Sequence, residues 1–72
     1  MSNEHSRARG AAEEEALALL KYMAEHNAHH AEELQALETG LPEKAAAYVR
    51  EAAALLNAST EALRSAIRET EA

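Results

Sequence analysis

The stretch Glu38–Glu43 reads ETGLPE, and it is the one clear break in an otherwise helix-forming chain. Gly40 suits the left-handed position just past a helix end, and Leu41 can fold back onto the last turn. Pro42 suits the first position of a new helix. Before the break, from Ala11 onward, the chain is rich in Ala, Leu, Glu and Lys, which are strong helix formers. Glu13, Glu14 and Glu15 fall in the first turns, where negative charge complements the helix dipole. After the break a second helix is expected from about Pro42 to Arg68. Ser59 and Thr60 offer a cap for a third helix, but the apolar rhythm runs through them in phase, so one helix is expected. A short connection between two long helices gives an antiparallel hairpin with arms of about 38 Å. The fold class is therefore all-α. Residues 1–10 are polar, end in Gly10 and are expected as a disordered tail, with 11–70 as a single helical-hairpin domain.

The apolar positions of the first helix follow a heptad rhythm through 16, 20, 23, 27, 30, 34, 37 and 41. In the second helix the matching seam is 45, 49, 52, 56, 59, 63 and 66, whose alanines permit close approach. Large apolar residues also flank the seams, among them Leu19, Leu37, Tyr48, Leu55 and Ile67. One hairpin buries one stripe per helix, so these flanks predict a homodimer that closes a four-helix bundle.

At 72 residues the chain is one domain at most, and its size makes a self-sufficient core difficult. It has no Cys, Phe or Trp, so disulfides and thiolate metal sites are excluded. The net charge of -6 and the scattered cations argue against nucleic acid as a partner. No apolar run reaches the roughly 18 residues of a membrane span, so no membrane association is expected. The start MSNEHSRARG lacks the apolar middle of an export signal, which makes the cytoplasm the expected location. No nucleophile with an adjacent base and no glycine-rich loop is evident, so an enzyme is not expected.

Chemistry concentrates in Glu25–Leu34, EHNAHHAEEL, which holds three of the four histidines. His26 and His30 are four apart, and Glu33 follows His30 by three, so all three share one side of a helix within about 60°. An i, i+4 histidine pair is a helix-borne chelate for a divalent ion. Neutral imidazole with carboxylate and water suits Ni, Co, Zn or Cu(II). His29 and Glu33 form a second such pair, turned outward, which makes His29 a substitute ligand. The hairpin register pairs residues whose numbers sum to about 82, placing His30 opposite Ala52 and Asn27 opposite Leu55. The second helix then offers no donor, and further ligands come from a partner subunit or water. A structural alternative uses the same residues: Asn27 and His30 as a polar layer on the seam that specifies helix pairing and binds nothing.

The residues from Leu19 to Leu37 resemble a family of small two-helix domains with a recurring LLxYMxxHNxHHAEEL helix. That family accompanies histidine-rich segments in proteins linked to nickel or cobalt handling. The resemblance implies a transition-metal association for His26, His29, His30 and Glu33. Where family second helices carry further His and Glu near their start, this one reads EKAAAYVREAAALL, and only His5 precedes the first helix. The expected function is a small His/Glu metal-binding protein, as carrier, buffer or sensor module, working as a homodimer. A non-metal interaction module is the alternative.

Overall fold

The computed structural model describes residues 9–72. Helix α1 spans Ala11–Leu37, a 3-10 turn spans Glu38–Gly40, and helix α2 spans Glu43–Glu71. The two helices pack side by side as an antiparallel hairpin, and α2 runs unbroken through Ser59 and Thr60. Thr60 is accommodated because its hydroxyl donates to the Leu56 carbonyl at 2.9 Å. Residues 1–8 of the expected tail lie outside the described residues. Arg9, the next residue, is tied down at both ends of its guanidinium. Its Nε donates to Glu14 at 2.7 Å and its Nη1 to the Thr70 carbonyl at 3.2 Å.

The turn differs in detail from the sequence expectation. Gly40 has no positive φ, so the left-handed cap is absent; the chain instead tightens through Leu41 N–H donating to the Glu38 carbonyl at 3.2 Å. Pro42 stands one residue earlier in the helix than expected, as its N-cap, with φ -59° and ψ 154°. Its carbonyl accepts the Ala46 N–H at 2.8 Å. Arg50 reaches back to Glu43 at 2.9 Å and to Glu38 at 3.5 Å, bracing the turn from outside.

The interior is built on small residues. Leu17, Ala24 and Ala31 are buried in α1, and Ala46, Ala53 and Thr60 in α2, each set spaced by seven. Half-buried Leu20, Asn27 and Leu34 complete the first seam, and Val49, Leu56 and Leu63 the second. Half of each expected seam is thus correct, while the other half lies one residue further on. Residues 23 and 30 give way to 24 and 31, and 45, 52 and 59 give way to 46, 53 and 60. The physical reason is side-chain bulk. Alanine at the closest points lets the two backbones approach. Met23, His30 or Leu37 at those points would hold the helices apart. Leu17 is the one large side chain buried in this seam.

Asn27 Nδ2 donates to Ser59 Oγ at 3.3 Å, so Asn27 faces Ser59 and not Leu55. The polar layer at Asn27 is satisfied inside one hairpin, and His30 is not part of it. Among the described residues, no helix is long and apolar enough to cross a membrane.

Candidate metal centre

The shift of the seam turns His30 out of the hairpin and onto the same flank as His26, one turn earlier. Their Nε2 atoms converge to 3.0 Å, with ring centroids 4.3 Å apart and planes at 80°. Tyr22, a further turn back, stacks on His26 with centroids 5.3 Å apart and an 18° tilt, limiting the freedom of that ring. All three positions are four apart on α1, so regular helix geometry alone aligns them.

Glu33 binds the other side of His30. The His30 Nδ1–H donates to Glu33 Oε1 at 2.9 Å, which fixes the tautomer and leaves Nε2 with its lone pair. In the neutral state the His26 Nε2–H donates to that lone pair. The second Glu33 oxygen lies 3.2 Å from His29 Nε2. The hydrogen bond from His30 is the main cause holding the Glu33 carboxyl below its ordinary range, with the charges of His29, His30 and His26 adding to it.

The four sequence-predicted residues therefore divide. His26 and His30 meet directly, Nε2 to Nε2. Glu33 does not join that contact, because it occupies the Nδ1 side of the His30 ring. His29 joins Glu33 at the outer edge of α1. Among the described residues, no group of three or more His, Cys, Asp or Glu side chains is gathered in metal-binding geometry. Two imidazole nitrogens held at about 2.1 Å from one ion and at right angles about it stand about 3.0 Å apart. A carboxylate on the opposite ring nitrogen is the usual orienting partner of a metal-binding histidine. Sequence spacing pointed to the pair; the division of labour with Glu33 depends on ring orientation, which spacing does not carry.

Residues 16–70 match the family model described as a domain of unknown function, DUF8180, and the chain belongs to that family. No curated protein and no solved structure matches the chain significantly.

Proposed function

We propose that this DUF8180 domain is a small cytoplasmic transition-metal-binding protein, acting as a homodimer and serving as a carrier, buffer or sensor module. His26 and His30 chelate one divalent ion through their Nε2 atoms. Glu33 orients His30 through Nδ1, and His29 shares the same carboxylate. The observation that carries this reading is the 3.0 Å convergence of the two Nε2 atoms, with the Glu33 carboxylate on the far side of the His30 ring. A right-angled pair of nitrogens suits the octahedral or tetragonal preferences of Ni(II) and Co(II), with Zn(II) accepting it at some distortion. Because the site is exposed and holds two protein ligands, water or a second subunit completes the shell, which fits exchange of the ion.

Thermal unfolding with chelator, and then with Ni, Co or Zn, tests the reading. An ion at one hundred times its Kd stabilises the fold by about 2.7 kcal/mol. That raises the midpoint by on the order of 10–20 °C in a domain of this size. The shift is expected in the parent and absent from His26→Ala/His30→Ala. No shift with any of the three metals would remove the proposal. Loss of the shift in His29→Ala alone would move the site to the outer edge of α1.

A second reading, a metal-free structural or interaction module, is favoured by the Asn27–Ser59 hydrogen bond. An asparagine on a largely apolar seam, paired with a serine at the seam's edge, fixes register at some cost in stability. That role lies within one hairpin and leaves the histidine pair without a use.

A further inference from the structure

The two long faces of the hairpin differ in chemistry. In an antiparallel pair, the residues just outside the seam on one side of α1 meet their counterparts on the same side of α2. One face is marked by the Lys21–Glu71 bridge at 2.7 Å and the bracing of Arg50 on Glu38 at 3.5 Å. Arg64 and Glu25 line a groove there as well. The opposite face carries the Asn27–Ser59 contact at its inner edge. By the seven-residue spacing of the buried seam, the positions one step before it on this side are 16, 19, 23, 26, 30, 33 and 37 on α1, and 45, 48, 52, 55, 59, 62, 66 and 69 on α2. None of these is Lys or Arg, and Glu33 and Glu69 are the only carboxylates among them.

That face holds five large exposed apolar residues: Leu19 55%, Met23 49%, Leu37 58%, Tyr48 74% and Leu55 65% exposed. At roughly 200 Å² for each large side chain, these leave on the order of 600 Å² in contact with water. The sum is divided between a Leu19–Met23 end and a Leu37–Tyr48–Leu55 end with the histidines between them, against roughly 300–600 Å² for the largest apolar patch of a typical monomer. One partner in a standard interface contributes about 800 Å², and the intervening alanines and imidazoles supply the difference.

We propose that a second copy of this chain covers this face. The two α1 helices run antiparallel about a two-fold axis level with Ala28, so that His26 of each copy meets His30 of the other. Three observations select this occupant and this axis. A chain of net charge -6 can meet itself only where charge is sparse, and this is its sparsest face. A membrane surface would require a cationic rim, which these positions lack. Two pairs of the α1 stripe are also placed symmetrically about residue 28: Leu19 and Leu37 are each nine residues away, and His26 and His30 each two, while Met23 meets the partner's Glu33. An axis there stacks leucine on leucine at both ends and gathers four imidazoles at the centre. On α2 the register set by Asn27 and Ser59 puts the same axis near Ala58, which brings Leu55 of one copy over Ala62 of the other.

The role of the four imidazoles rests on the metal reading above; the pairing of apolar faces stands on exposure and charge alone. Sedimentation equilibrium of the full chain in chelator and in excess Ni(II) tests both. A dimer is expected, tightened by nickel. Met23→Glu and Leu55→Glu should give helical monomers, while Ala54→Glu on the charged face should remain dimeric. The chain lacks cysteine, so Leu19→Cys/Leu37→Cys should cross-link between subunits with a short bifunctional thiol reagent. Neither single cysteine should do so, since like positions lie about 27 Å apart across this axis. A parent that stays monomeric with and without nickel overturns the inference. So does a dimer in which the double variant fails to cross-link. Cross-linking in the expected pattern without any effect of nickel would uphold the interface and count against the metal reading.

Discussion

Replacing Ala31 by leucine asks directly which residues face the hairpin interior. Ala31 is 2% exposed, and Ala53 on α2 is equally buried. The added side chain must fit where two backbones approach closely, so either the helices separate or the rotamer strains. Overpacking of this kind costs about 1–3 kcal/mol. In a domain of this size each kcal/mol lowers the midpoint by about 4–8 °C. Ala31→Leu should therefore melt on the order of 4–24 °C below the parent, followed by helical circular dichroism in chelator. Ala36→Leu is the control, since Ala36 is exposed on the same helix, and it should stay within about 0.5 kcal/mol of the parent. The seam read from the heptad rhythm, with His30 inward, makes the opposite statement: Ala31 would lie outside it and tolerate leucine. Equal stability of Ala31→Leu and Ala36→Leu would refute the alanine seam and the outward placement of His30 that follows from it.

Leu17→Ala should cost about 2–5 kcal/mol by urea titration, because Leu17 is the one large side chain buried in the seam. Gly40→Ala should stabilise by about 0.4–1 kcal/mol, since Gly40 has no positive φ and a Cβ there meets nothing within 4 Å; a loss of stability would restore the left-handed cap. Glu33→Gln should weaken nickel binding by about 10–100-fold in calorimetry with the stoichiometry unchanged, as for an orienting partner; an unchanged affinity would detach Glu33 from the site. The same substitution has a pH signature. Glu33 is held below its ordinary range in the folded state, so its stabilising share is complete above the unfolded carboxylate value of about 4.3 and fades as pH falls through the lower folded value. The stability difference between parent and Glu33→Gln should shrink below that pH, and by a small amount because the carboxylate is exposed.

Much of the fold was legible because ETGLPE punctuates two runs of strong helix formers. The continuity of α2 through Ser59 and Thr60 was legible from the unbroken apolar phase. The phase itself was half legible. Leu20, Asn27, Leu34, Val49, Leu56 and Leu63 belong to the seam under either reading, whereas 23 against 24 and 30 against 31 differ by a single step. Hydrophobic bulk favours Met23, and close packing favours Ala24; an alanine-rich sequence satisfies the heptad period both ways. That step decided the environment of the histidines. The i, i+4 spacing showed that His26 and His30 converge. The attachment of Glu33 to Nδ1 depends on a ring rotation, and the pairing of Asn27 with Ser59 depends on a register that the turn shifted.

The chelate itself is tested most directly by long-range proton–nitrogen NMR of the imidazoles during titration with Zn(II), which is diamagnetic. The Nε2 resonances of His26 and His30 should move together, with His30 Nδ1 remaining protonated and His29 unchanged. Titration that leaves both Nε2 resonances in place, or moves those of His29 instead, would contradict the account.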